Sequence, residues 1–424
     1  MKSTAYIVWR NIEMTRILRT VFAIVLIAGI TLCSGCGKSI EIENIGFILG
    51  AGFDRTEEGD VKVWIQIAMP TPNRDEIMNL RGWIATATGQ NVFEAINNVS
   101  RKMAKKLFWG HATVLIVGER MARDGVDELV EYITRNAEFR YTSLMAVTSE
   151  DIGEILLLEM SSQSRSTADI SGLFYTAQRI SIAPKSTFYD FITKSEEVGN
   201  EAILGRISII EDSASKQLGT DSSQEEPESE THSDKELLVE GCAVFHKDKM
   251  IGWLDGEQTS MALMLRNHMY RYEGMLDLPG GFLGYVITQS NVTMKTENLD
   301  VNALEDLTVK VEAIGSADIT AIWSDETLTS VSDIKILNER VSDQIKQKLE
   351  NLIFLSQKVY KVDFTDIGEK VRQKVPMKLW EDGLSEQWND IYQNINVEVS
   401  VNLKIRRRGL TFNQVDKHYK KMRT

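Results

Sequence analysis

The sequence predicts the mixed α/β (α+β) class, with sheets flanked by helices. Three observations carry that expectation: a strand–helix–strand succession in the first half, a long helix with one apolar face at 331–360, and a closing strand of strict alternation at 397–406. The length of 424 residues suits about three compact units of ~150 residues each. With 43% apolar and 26% charged residues, the composition excludes a wholly disordered or collagen-like chain. The net charge of −13 argues against a nucleic-acid partner, because phosphate binding needs clustered cations.

Residues 1–35 read as a signal peptide. Lys2, Arg10, Arg16 and Arg19 precede the uncharged run 21–32, which is too short for the ~20 residues of a membrane-crossing helix. Initiation at Met14 rather than Met1 would give a more ordinary signal. The run ends in Leu32-Cys33-Ser34-Gly35-Cys36, which resembles the lipobox of bacterial lipoproteins, with Cys33 where a Leu is usual. That resemblance implies cleavage between Gly35 and Cys36 and a diacylglycerol on the Cys36 thiol. Ordinary signal cleavage with a free Cys36, or an uncleaved anchor, are the alternatives. Removing residues 1–35 takes away four bases and one acid, leaving a net charge of −16.

In the body, 45–54 reads as a strand and 57–60 as a polar turn. Val61, Val63, Ile65 and Ile67 then alternate with more polar residues, the period of a half-buried strand. Asn91 and Glu94 are spaced as a helix cap and its reciprocal acid, ahead of Val92, Ile96, Val99 and Met103 at helical spacing. An apolar strand at 112–117, a helix at 122–135 and a strand at 143–147 imply a right-handed crossover and parallel pairing. Thr148 and Asp151 repeat the capping-box spacing before 152–158. These elements fall in an N-terminal mixed α/β region, 36–210. Residues 211–237 are acidic and serine-rich, a solvated linker or loop. The C-terminal region, 238–411, carries a hairpin (238–245 with 250–254), a helix at 258–270, strands at 282–289, 307–314 and 319–323, and the long helix. In that helix Ile334, Leu337, Val341, Ile345, Leu349, Leu352 and Val359 make one face. A basic tail, 412–424, ends the chain, and no repeat of fixed period occurs.

A search for chemistry finds no catalytic constellation. His111, His232, His246, His268 and His418 are scattered, and no Cys-x-x-Cys remains after processing, so no metal site is expected. Cys242 is left without an intramolecular partner. Residues 46–52 and 279–284 are glycine-rich but lack nucleotide-binding spacing and read as turns. Ser213-Ala214-Ser215-Lys216 matches a serine-enzyme motif by chance, since it lies in the acidic segment. Phe108-Trp109-Gly110-His111 is the most site-like cluster; its histidine either meets a ligand or bonds backbone at a strand entrance, the commoner case. Arg135 and Arg140 bracket Glu138 and either clamp an anion or complement a helix dipole.

Several features, in order, resemble the Ger(x)C family of spore germination lipoproteins. They are Glu41-Ile42-Glu43-Asn44-Ile45-Gly46-Phe47, Gln66-Ile67-Ala68-Met69-Pro70, Gly110-His111, the stretch 135–140, and Ala243-Val244-Phe245 through Gly252-Trp253-Leu254-Asp255-Gly256. Asp363-Phe364 with Gly368, Trp380, Trp388 and the strand 399–409 complete them. The resemblance implies three mixed-sheet domains and no enzymatic activity. It implies no cofactor beyond the lipid on Cys36. It also implies work on the outer face of the spore inner membrane with integral-membrane germinant receptor subunits of A and B type. Two other classes stand beside it: a solute-binding lipoprotein that captures a small nutrient for a transporter, and a lipid-anchored wall hydrolase using paired carboxylates.

Overall fold

The computed structural model describes residues 19–24, 44–68, 83–163, 170–211, 235–297, 307–324 and 331–407. The chain divides into two units, Met1–Ile45 and Gly46–Thr424. In the first, residues 19–24 are helical. Cys33, Gly35 and Cys36, the acidic stretch 212–234 and the basic tail lie outside the described residues.

β1 (Ile45–Arg55), all but its first residue in the second unit, and β2 (Val61–Ala68) form an antiparallel hairpin. Its turn passes through Gly59 at φ +93°, a conformation that favours glycine. β3 (Trp83–Gly89) pairs with β2, α1 (Val92–Lys102) follows, and β4 (Lys106–Phe108) pairs with β1. Then come β5 (Val114–Gly118), α2 (Glu119–Asp124), α3 (Asp127–Arg135), β6 (Leu144–Thr148), α4 (Ile152–Gln163), α5 (Ile170–Arg179), α6 (Phe188–Glu196) and β7 (Ile203–Glu211). β1, β5, β6 and β7 run parallel to one another, with Gly52 opposite Ile116 and Ile116 opposite Ala146. β8 (Lys235–His246) and β9 (Lys249–Leu254) add to the sheet antiparallel, giving the order β3-β2-β1-β5-β6-β7-β8-β9.

Parallel strands need cover on both faces. On one face Val99, Leu129, Ile133 and Phe191 pack against the sheet, and on the other Ile152, Ile155 and Phe174 do so. Packing against α4 is so close at Gly52 that a Cβ there would lie 2.1 Å from Ile152 Cγ2. The expectation of a half-buried β2 fails for the same reason: Trp64 joins the cluster of Ile152 and Ile155, and Gln66 and Ala68 are buried as well.

Other local expectations change under tertiary contact. The single helix at 122–135 is two, broken at Gly125 (φ +134°), where the Val126 N–H donates to Asp248 O across 3.0 Å. Before α4 the cap is Asp151, whose Oδ1 accepts from the Glu154 N–H at 2.9 Å, while Thr148 Oγ1 accepts from Glu150. At α1 Asn91 caps Glu94 as expected, but Glu94 reaches back to the Gln90 N–H. The acidic stretch joins two adjacent antiparallel strands, β7 and β8, and β8 begins at Lys235.

After β9, α7 (Gly256–Leu265) is capped reciprocally by Asp255 and Gln258. β10 (Tyr272–Leu278), β11 (Gly281–Glu297), β12 (Thr308–Trp323) and β13 (Asn396–Arg407) form a second sheet in that order. β12 is one strand where two were expected, with a register shift at Ala317/Asp318. β10 was not anticipated. Between β12 and β13 come α8 (Val331–Phe354), α9 (Ile367–Arg372), α10 (Met377–Leu379) and α11 (Ser385–Tyr392). β13 runs parallel to β12 at the sheet edge, and the α8 side chains Asn338 and Ser342 accept from its Ile405 and Leu403 N–H groups. Lys404 and Arg406 face outward, as the alternation requires.

The long helix reaches Tyr360, but its last stretch, Leu355–Tyr360, widens to π geometry. Widening rotates the face, so Ser356 and Gln357 turn inward and Val359, expected on the apolar face, is 57% exposed. Leu349→Ala should therefore cost about 2–5 kcal/mol, whereas Val359→Ala should stay within about 0.5 kcal/mol. Urea unfolding midpoints of the two variants check this contrast.

Candidate functional site

The structure disperses most residues that the sequence suggested. His111 lies edge-on to the rings of Phe47 and Phe108, at 5.1 and 5.9 Å between centroids. Trp109 is buried and stacked on Phe139 at 4.3 Å, and its backbone N–H donates to Glu138 Oε2. The anion clamp is not formed: Arg135 pairs with Glu131 one turn back at 2.9 Å, and Glu138 takes Lys106 at 3.2 Å. Gly280 (φ +72°) makes the β10–β11 turn. Cys242 is buried, accepts from the Thr259 hydroxyl at 3.3 Å, and has its thiol pushed up to about 12 by burial; it is chemically quiet. Among the described residues no His/Cys/Asp/Glu group could hold a metal ion.

What the fold does assemble is a buried polar node at Asp363. Lys361 (φ +59°) and Asp366 (φ +63°) bend the chain sharply after α8, bringing Asp363 inside with no exposure. Its Oδ1 accepts from the Thr365 N–H (3.0 Å) and hydroxyl (2.8 Å), and its Oδ2 from the Gly368 N–H (2.5 Å) and Trp388 Nε1–H (3.2 Å). The Tyr392 hydroxyl donates to Ser356 Oγ at 2.8 Å and lies 3.1 Å from Thr365 Oγ1. Gly368 sits against Gly199 and Trp388, where a Cβ would fall 2.6 Å from Gly199 Cα and 2.4 Å from Trp388 Nε1. The Glu201 N–H donates to Asp363 O and the Glu369 N–H to Gly199 O, which stitches 199–201 to 363–369. Burial pushes the Asp363 carboxyl up to about 6, outweighing the hydrogen bonds from Thr365 and Gly368 that pull it down.

Arg266 links this node to a cleft. It follows α7 and its side chain is 1% exposed. Its Nε donates to Phe364 O (2.9 Å) and its Nη2 to Glu201 O (2.6 Å), with Asp366 Oδ1 at 3.3 Å. The cleft, about 430 Å³, has Lys185, Lys194, Arg266 and His268 in its lining, with Asp190. Asp190 is committed to the α6 capping box with Thr187. Lys194 Nζ donates to Asn200 Oδ1 at 3.2 Å. The Lys194 ammonium is lowered to about 8, first by the positive charge of Arg266 and then by burial. His268 is held below the usual histidine value by partial burial and then by Lys194 and Arg266. Such a hollow has the charge to hold an anion. No sequence signal marked Lys194 and Arg266 as neighbours. A second hollow of about 370 Å³ lies on the second sheet, with Lys404 and Arg406 exposed at its wall.

The node gives a pH prediction. The Asp363 carboxyl is raised in the folded state, so its protonated form adds stability that is complete below the unfolded value near 4 and is lost as pH rises through about 6. Asp363→Asn leaves donors facing an amide and should destabilise by about 2–3 kcal/mol at pH 7. The gap to wild type should widen by about 2 kcal/mol between pH 7 and pH 4. Urea unfolding of both proteins across that range measures it.

Comparison with known proteins now bears on the whole chain. Residues 38–209 match the spore germination protein N-terminal domain, and residues 240–409 match the spore germination B3/GerAC-like C-terminal domain. The chain is 22% identical to spore germination protein GerQC of Bacillus cereus over 379 residues, covering 89% of this chain and 96% of that protein. It is likewise 22% identical to spore germination protein KC of Bacillus subtilis (strain 168) over 427 residues, covering 95% and 99%. The crystal structure of the GerBC protein superposes with a TM-score of 0.53 at 14% identity, over 84% of this chain and 96% of that one, so the fold is shared. Two domain matches in the same order, together spanning more than half of the sequence, place this protein in the Ger(x)C family of spore germination proteins.

Proposed function

We propose that this protein is the lipid-anchored C subunit of a spore nutrient germinant receptor, acting without catalysis alongside integral-membrane subunits of A and B type. The observation that carries the reading is the pair of family matches along the chain. The first begins at residue 38, two residues after Cys36, where cleavage at the lipobox-like sequence would start the mature protein. Among the described residues no helix is long and apolar enough to cross a membrane. A diacylated Cys36 would supply the tether, since one acyl chain binds only marginally and two hold stably at ~0.8 kcal/mol per buried CH₂. The net charge of −16 after cleavage gives the body no general attraction to anionic lipid, which leaves the lipid as the main hold. The location that follows is the outer face of the spore inner membrane.

Cys36→Ala should move the protein from the membrane pellet to the aqueous fraction and abolish nutrient-triggered germination, while leaving the fold intact. Mass spectrometry should find a diacylglycerol adduct on residue 36 of the wild type, and integral-membrane receptor subunits should co-purify from spore membranes. An unmodified Cys36, or wild type recovered from the aqueous fraction, would sink the anchored-subunit reading.

A further inference from the structure

We propose that the cleft bounded by α6 and the segment after α7 is a binding site for a small organic carboxylate, with Lys194 and Arg266 supplying the charge and Met269 and Tyr270 an apolar wall. The cleft's volume, about 430 Å³, falls within the range of sites that enclose small molecules.

Charge in this hollow is unbalanced. Arg266 is fixed by the carbonyls of Phe364 and Glu201, and its Nη1 makes no hydrogen bond among the described residues. Its ion-pair partner among the described residues, Asp366, lies 3.3 Å from Nε and is not part of the cleft lining. Lys194 has a neutral partner, Asn200, and no ion pair among the described residues. The acid in the lining, Asp190, accepts from both the N–H and the hydroxyl of Thr187. Two cations are thus held near one another, their charge only partly offset by Asp366, Asp190 and Glu197, and Lys194 feels the net repulsion from Arg266 as a depressed pKa. A bound carboxylate relieves the repulsion and takes charge-assisted hydrogen bonds.

The rest of the lining selects an organic anion over a bare inorganic one. Pro184, Ile203, Leu263 and Met269 present hydrocarbon, and Tyr270 is 61% exposed beside them. Arg266 also explains why such a site is stable when empty. Its position is set by the Asp363 node, so the guanidinium does not have to be ordered when a ligand arrives, a saving in binding entropy. The proposal stands on the cleft alone and does not depend on how the chain is anchored.

The test is isothermal titration calorimetry on the full chain in detergent, with acetate, butyrate and 3-phenylpropionate as probes. 3-Phenylpropionamide serves as the neutral counterpart and inorganic phosphate as the bare anion. At least one carboxylate should saturate, and the amide should not. Lys194→Met should weaken that binding by about tenfold or more, the loss of one charge-assisted hydrogen bond, while Lys194→Arg restores most of it. Because Lys194→Met removes a repelled charge, its thermal midpoint should match or exceed that of wild type. The exposed Lys335→Met, 81% exposed at its side chain, should bind as wild type does. Absence of saturation with all three carboxylates overturns the proposal. So does an amide that binds as tightly as the acid, phosphate binding alone, or full affinity in Lys194→Met.

Discussion

A guanidinium withdrawn from water must be given acceptors that stay in place, and in this protein that requirement falls on Arg266. Its partners come from distant parts of the chain: the carbonyl of Glu201 ahead of β7, and the carbonyl of Phe364 and the carboxylate of Asp366 ahead of α9. The same segments are stitched again by backbone bonds between Glu201 and Asp363 and between Glu369 and Gly199. Breaking a buried ionic contact by removing one partner costs several kcal/mol, because the other charge is left uncompensated. These contacts therefore fix the path of 363–368 against 199–201, and with it the approach of α7 to α6.

Asp363 is the centre of that region's hydrogen bonding. The carboxylate spends both oxygens on backbone and side-chain donors, and the indole of Trp388 fills the space beside Gly368. A low dielectric strengthens these bonds and raises the cost of any left unmade. The family to which the chain belongs is legible in the same residues, since Asp363-Phe364, Gly368 and Trp388 are among the features that carry the resemblance. Their structural meaning is a hydrogen-bonded node.

The sheets provide the frame. Four parallel strands at the centre of the first sheet bury both faces, which forces helices onto each side and leaves the polar work to the strand ends and the segments that leave them. In the second sheet β13 is an edge strand, and α8 lends it side-chain acceptors where a neighbouring strand would otherwise pair. An edge managed in this way is less available for unwanted pairing. The outward row of Lys404 and Arg406 adds charge to the same end.

Local pattern was enough for the mixed α/β class, for β13 from its alternation, for the existence though not the burial of β2, for α1 from Asn91, and for the buried face of α8 as far as Leu352. These signals lie within one element, where side-chain period and capping chemistry act over a few residues. It was not enough where a neighbour decides. Gly125 ends α2 because Val126 bonds to Asp248, Gln66 is buried because α4 covers β2, and Val359 faces water because the helix widens beneath it. Lys194 lies in α6 and Arg266 just past α7, with three strands between them in sequence, so no spacing rule could join them. Their meeting is a property of the packed chain, because charge proximity depends on distance through space while sequence records only distance along the backbone.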